Sequence, residues 1–200
     1  MRVVTAEDRR HWDERYAAAG MEGIDRLTPP PVFAPSEGRF PTTGRALDIA
    51  CGRGRHSVWL AKRGMTVTGL DVSPVAIEQA DGLAARQGCE ERCTFAVADL
   101  DHGLPSYVTA APAFDLVVCH LFRQPALDGR VVERLAPGGL LAIAVLSEVG
   151  AGPGRFRAGP GGLRNAFDRL RIEAHGEAEG LAWLLATKPE GGRHAWVTRA

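Results

Sequence analysis

Arg45–Arg63, RALDIACGRGRHSVWLAKR, decides how this chain is read. Ala46-Leu47-Asp48-Ile49-Ala50 is a short, mostly apolar run with the length of a buried parallel strand. It breaks at Cys51-Gly52-Arg53-Gly54, and from Arg55 the apolar positions resume at helical spacing through Val58 and Ala61. Strand, glycine turn and helix form the unit in which a backbone approaches a nucleotide closely, with the helix N-terminus facing it. Gly52 and Gly54 are the two positions where a Cβ is expected to obstruct that approach.

The neighbouring segments extend the pattern. Met65 to Asp71 reads as a second strand ending in a carboxylate, seventeen residues beyond Gly54, where such folds place an acid on the ribose hydroxyls. Phe95-Ala96-Val97-Ala98 is a third short apolar strand, followed by Asp99. Each acid alone is more often a helix or turn cap; three strands in succession ending in ligand-competent residues point to a site on one sheet edge.

In order, DIACGRGR, GLDVSP, VADL, FDLVVCH and LAPGGLLAI resemble the motifs of class I S-adenosylmethionine-dependent methyltransferases, over about residues 45–146. The competing dinucleotide fingerprint requires a third glycine where this chain has Ser57, and no Tyr-x-x-x-Lys pair supports a dehydrogenase. More loosely, HWDERYA and the short C-terminal half are similar to the small bacterial branch that includes tellurite-resistance and thiopurine-type enzymes. The resemblance implies S-adenosyl-L-methionine as cofactor, with Ala50, Gly52 and Gly54 in the turn against it. It implies that Arg55 pairs with the methionyl carboxylate and that Asp48 orients the methionyl ammonium through water. Asp71 is then expected on the ribose hydroxyls, Val72 along the adenine, Asp99 on the adenine amino group and Leu100 beside it.

Two hundred residues suit one domain with a full core. Lys plus Arg equals Asp plus Glu, 24 each, which removes any electrostatic case for non-specific nucleic-acid or membrane binding. No apolar run approaches membrane-spanning length and no leader pattern opens the chain, so the cytoplasm is the expected location. Four cysteines make no disulfide scaffold, and Cys89-x-x-x-Cys93 lacks a second ligand pair for zinc. Cys51, without an obvious base, reads as a small residue in tight backbone space.

Residues 5–19 read as an amphipathic helix, capped by Thr5 and ended by Gly20, with Trp12 and Tyr16 on one face to pack on the sheet edge or cover the cofactor. Thr28–Pro41, with five prolines, reads as an ordered loop or linker. Ser73 and Pro74 start a helix whose Ile77, Ala80, Leu83 and Ala84 face the sheet until Gly88. A short turn near Ser106, a strand from Phe114 to His120, a helix over 125–135, a turn at Pro137-Gly138-Gly139 and a strand from Leu140 to Leu146 follow. The glycine-rich stretch Ser147–Gly162 is expected to leave the sheet at the ligand edge, as a flexible surface loop or as a mobile lid over the acceptor, with Arg155 and Arg157 either solvated or meeting an anionic acceptor. Leu163–Leu170 reads as a last helix, residues 171–177 and 181–187 as an antiparallel pair, and His194–Thr198 as an edge strand or a tail.

The expected fold is α/β: a Rossmann-like, mostly parallel sheet flanked by helices, with an antiparallel C-terminal hairpin at one edge. Residues 1–200 form a single domain, with an N-terminal helix and Pro-rich loop (1–44), a cofactor-binding core (45–146) and a flexible loop, helix and hairpin (147–200). The expected activity is methyl transfer from S-adenosylmethionine to a small-molecule acceptor, with the chain a monomer or homodimer. A non-catalytic S-adenosylmethionine-binding protein and, less so, a nicotinamide-dependent oxidoreductase are the alternatives. His120, at the end of a strand and with an ordinary pKa near neutrality, is the candidate acceptor contact or base. No metal is expected, since no set of three carboxylates stands out, and no Asp/Asn-Pro-Pro-aromatic tetrapeptide marks an amino-methylating nucleic-acid enzyme.

Overall fold

The computed structural model describes residues 6–19, 24–154 and 157–190. The opening stretch forms β1 (Arg45–Ile49) and α2 (Arg55–Lys62), preceded by α1 (Ala6–Ala19). After them come β2 (Thr66–Asp71), α3 (Pro74–Arg86), β3 (Cys93–Val97), α4 (Ser106–Ala110) and β4 (Phe114–His120). The chain continues through α5 (Asp128–Arg134), β5 (Leu135–Ser147), β6 (Arg157–Ala158), α6 (Gly162–Ala166), β7 (Arg171–Ala178) and β8 (Leu181–Thr187). The sheet order is β3-β2-β1-β4-β5-β8-β7, with β6 beside β5. The first five strands are mutually parallel, and β8 and β7 run antiparallel at the far edge.

Period-two alternation sorts the strand residues onto two faces. Leu47, Ile49, Val117, Cys119, Leu141 and Ile143 join one cluster, closed by Val108, Leu127, Val131, Leu163 and Phe167 from the α4, α5 and α6 side. Ala46, Leu116, Val118, Ala142 and Ala144 join the other, covered by Val58, Leu60, Leu83 and Ala84 of α2 and α3. Ser73 caps α3 as expected, its Oγ accepting from Ala76 N at 3.1 Å.

Several local expectations are corrected. The Pro-rich segment is a 3-10 helix, Pro31–Arg39; proline's missing N–H suits its start, and Phe33 and Phe40 bury themselves in the α2 face. Residues 125–135 are not one helix: a 3-10 turn (Pro125–Leu127) leads into α5, and Leu135 already begins β5. Pro137-Gly138-Gly139 lies inside that strand as an irregularity, where the β4 register jumps from Phe114↔Leu135 to Leu116↔Leu140. A Cβ on Gly139 would stand 2.9 Å from Ala136 O and 3.0 Å from Phe114 O, so glycine lets the two backbones pass. The last helix is only α6, although Leu163, Phe167 and Leu170 all stay buried. Thr5, Gly20, Arg155 and His194–Thr198 lie outside the described residues.

Candidate functional site

A cavity of about 570 Å3 opens past the carboxyl ends of β1, β2, β3 and β4. β1 is flanked by β2 on one side and β4 on the other, so the connections turn away in opposite directions there and leave a crevice. Its floor is the glycine turn. Ala50 (φ 56°), Gly52 (φ 53°) and Gly54 (φ 75°) are left-handed, and Gly54 N donates to Cys51 O at 3.1 Å. Asp71 holds the turn: Oδ2 accepts from Gly52 N at 2.8 Å and Oδ1 from Ser73 N at 3.0 Å. Asp71 is 5% exposed and lines the cavity. Burial raises its pKa, opposed by those amide hydrogen bonds. Each carboxylate oxygen keeps acceptor capacity for a ligand donor.

The two glycines do different work. Gly52 lines the cavity, and a Cβ there would meet the Tyr16 hydroxyl at 3.0 Å. Gly54 does not line it; a Cβ there would collide with Ala80 Cβ at 2.7 Å and Phe95 Cζ at 3.1 Å. Its missing side chain lets α2 start against α3 and β3.

Asp48 also stands outside the lining. On β1 it shares parity with Ala46, so it lies beneath the turn, 1% exposed and outside the cavity lining. It accepts a 2.6 Å hydrogen bond from Ser57 Oγ. Burial pushes its pKa up to about 7, the Ser57 hydrogen bond opposing and Asp71 adding. Ser57, which stands where a dehydrogenase fingerprint has glycine, is thus the partner of a buried acid.

Arg55, Val72, Asp99 and Leu100 all line the cavity. Arg55 Nη2 donates to Thr28 Oγ1 at 3.4 Å, while its Nε is buried without a hydrogen-bond partner. Asp99 also caps a turn, Oδ1 accepting from Asp101 N at 3.0 Å and Oδ2 lying 3.1 Å from His102 Nδ1. Cys51 reaches the cavity, but burial raises its thiol pKa far above the ordinary value, first of all causes, with Asp48 and Asp71 adding. That environment suppresses the thiolate a nucleophile needs.

α1 forms one wall. Between Arg9 and Ala19 only Trp12, Asp13 and Tyr16 are half-buried, a narrow stripe at i and i+4. The Trp12 and Tyr16 rings stack with centroids 5.8 Å apart. Asp13 accepts from Ser73 Oγ, and Gln79 Nε2 donates to Tyr16 O at 3.2 Å, which docks α1 on α3. Burial, then the Asp71 charge, raises the Tyr16 pKa, so its hydroxyl stays a donor.

Two histidines also line the cavity. His120 and Phe122 follow β4 around Leu121 (φ 61°), whose N donates to Ala144 O at 2.7 Å. His56, in the first turn of α2, was not singled out from sequence; its place one residue after Arg55, at a helix start facing a site, was the available signal. Its ring stands edge-on to His120, centroids 5.2 Å apart and planes at 88°, and its Nδ1 is 3.1 Å from Thr28 O. Both pKa values are pushed down to about 4: His56 by burial and then His120, His120 by burial and then Arg55. The near-neutral imidazole expected at 120 is therefore a neutral ring, and a weaker base, at pH 7.

The glycine-rich segment after β5 stays away from the cavity lining. Glu177 of β7 accepts from Ser147 Oγ at 2.7 Å and from Gly161 N at 2.9 Å. Arg157 Nη1 donates to Ser147 O at 2.6 Å, and Gly180 N to Val149 O at 2.7 Å. The lid reading is corrected: these bonds tie the segment to the β7–β8 hairpin. Among the described residues, no three or more His, Cys, Asp or Glu side chains gather in a metal-holding group.

Residues 46–139 match the sequence profile of the family described as Methyltransferase domain. Over 106 residues the chain is 35% identical to Methyltransferase GfsG of Streptomyces halstedii, covering 50% of this chain and 37% of that protein. It is 31% identical over 113 residues to the 2-heptyl-1-hydroxyquinolin-4(1H)-one methyltransferase of Mycobacteroides abscessus, covering 55% of this chain and 49% of that one. The matched part thus spans less than half the length of either relative. In fold, TehB from Haemophilus influenzae superposes with a TM-score of 0.65 at 17% identity, covering 90% of this chain and 66% of that one. Profile, relatives and fold agree with the ordered motifs: residues 46–139 are similar to a methyltransferase domain.

Proposed function

We propose that the chain binds S-adenosylmethionine in the crevice beside β1 and transfers its methyl group to a small-molecule acceptor. The observation that carries this reading is the single cavity in which Asp71, the start of α2 and the buried, unpaired Nε of Arg55 meet two neutral imidazoles and an aromatic wall. Its size, about 570 Å3, is that of a ligand pocket. An unpaired buried guanidinium N–H fits a carboxylate, and a buried acid with spare lone pairs fits ribose hydroxyls.

When bound, the cofactor supplies a methyl group already activated on a sulfonium. Arg55 would pair with its carboxylate, Asp71 with the ribose, and Val72, Asp99 and Leu100 with the adenine. Asp48, turned away from the cavity, would act on the turn through Ser57 instead of on the methionyl ammonium. His120 and Phe122 would hold the acceptor, while Trp12 and Tyr16 exclude water, so that alignment supplies most of the rate.

The name of the Mycobacteroides abscessus relative fits a small-molecule acceptor, and so does zero net charge. No described helix is long and apolar enough to cross a membrane, which is consistent with the cytoplasmic setting proposed here. Calorimetry with S-adenosylhomocysteine, S-adenosylmethionine and NAD tests the cofactor: the first two should bind and NAD should not. A screen of small acceptors with labelled methyl donor tests transfer; binding of the donor with no transfer to any acceptor would favour a non-catalytic binding protein.

A further inference from the structure

His56 comes from the first turn of α2 and His120 from the end of β4. The Thr28 carbonyl can only accept, so the 3.1 Å contact assigns the proton to His56 Nδ1 and leaves Nε2 a bare lone pair. The His120 ring, by contrast, has no hydrogen-bond partner among the described residues; its ring contact is His56. Either of its nitrogens can carry the proton. Both rings line the cavity, as do Phe122, Trp12 and Tyr16.

Resting on the methyl-transfer reading, we propose that His56 and His120 together form the acceptor seat, and that it selects a hydroxyl group carried on a planar, apolar ring. His56 Nε2 takes the O–H hydrogen, and His120 turns an N–H toward a lone pair of the same oxygen. A hydroxyl has one donor and two lone pairs, which matches one obligate acceptor and one adjustable ring. An ether lacks the hydrogen for His56. An ammonium lacks the lone pair for His120. In transfer, the oxygen lone pair forms the new C–O bond as the S–CH3 bond breaks, its electrons passing to sulfur. The hydroxyl proton leaves to His56 Nε2 and then to water, and S-adenosylhomocysteine is the by-product.

The test uses the whole chain saturated with S-adenosylhomocysteine and four fluorescent probes: 1-naphthol, 1-methoxynaphthalene, naphthalene and 1-naphthylmethylammonium. Naphthol should bind roughly three- to tenfold tighter than the ether and the hydrocarbon, the scale of one net hydrogen bond, with the ammonium weakest. In His56→Ala and in His120→Ala, naphthol should bind no tighter than naphthalene measured in the same variant. In wild-type protein labelled with 15N-histidine, the His56 Nε2 resonance should be that of a bare nitrogen and move on naphthol addition but not on ether addition, which needs no variant to fold. Equal affinities across the panel, no binding by any probe, or an Nε2-protonated His56 overturns the proposal. S-adenosylhomocysteine affinity, measured in the same samples, reports separately on the cofactor reading.

Discussion

The chain has two glycine-rich segments, each following a parallel strand, and they end in different roles. The turn Cys51–Gly54 after β1 lies at the reversal of strand order and faces the cavity, its Gly52 amide tied to Asp71. The segment after β5 meets the antiparallel hairpin instead, so its backbone is spent on β6 pairing, Glu177 and Arg157. Glycine content is therefore a poor guide to a ligand site; what a segment's neighbours leave unbonded decides.

The sharpest way to break this comparison is Gly54→Val. The new side chain meets Ala80 and Phe95 at a φ of 75°, so unfolding free energy should fall by about 3–5 kcal/mol in urea titration. A stable Gly54→Val protein would mean that the turn is not packed as described. Next, Asp71→Ala should weaken S-adenosylhomocysteine binding roughly 10–150-fold by calorimetry, the equivalent of about 1.5–3 kcal/mol. Its counterpart at the other segment, Glu177→Ala, should leave that affinity within about twofold while costing about 1–2 kcal/mol of stability. An affinity loss there would make the two segments one site.

Acidity distinguishes the turn as well. The folded pKa of Asp48, about 7, lies above its ordinary 3.8, so between those values the folded state holds a proton the unfolded state has lost. Its contribution to stability therefore falls as pH rises from about 3.8 to about 7. Asp48→Asn should flatten this slope and be more stable than wild type at pH 8, by an amount on the order of 1–3 kcal/mol. A pH profile unchanged by the substitution would place the buried charge elsewhere. The smallest effect is expected at Gly152, where a Cβ meets nothing within 4 Å: Gly152→Ala should cost about 1 kcal/mol, from its φ of 72° alone. Hydrogen exchange with S-adenosylhomocysteine should slow amides in 51–55 and leave 147–162 unchanged; protection in the second segment would restore the lid.

The legible parts of this fold were those with a local signature. Period-two runs placed the strands, Ser73-Pro74 placed a helix start, and the Glu179-Gly180 hairpin formed where turn residues stood between apolar runs. Side-chain direction was less legible. Asp48 and Asp71 are both strand acids beside the turn, yet strand parity sends one beneath it and one to its rim. Gly54 carried the right residue type for a reason of packing. His56 escaped notice because its importance depends on Thr28 and His120, which only the tertiary fold brings near. Helix 125–135 was overextended because Leu135 continues the apolar spacing of α5 while its backbone already belongs to β5.

The Pro-rich 3-10 helix deserves reading as a strut. Trp183 of β8 packs edge-on against Phe33, Phe33 against Phe40, and Phe40 against Trp59 of α2, with centroids 6.0, 6.1 and 5.3 Å apart. Gly176, across from Trp183, supplies the room: a Cβ there would stand 2.4 Å from the indole nitrogen. The same strut begins just after Thr28, whose carbonyl sets the His56 tautomer. An unbroken run of ring contacts thus joins the antiparallel hairpin to the helix that carries His56, through residues that all stand outside the cavity lining.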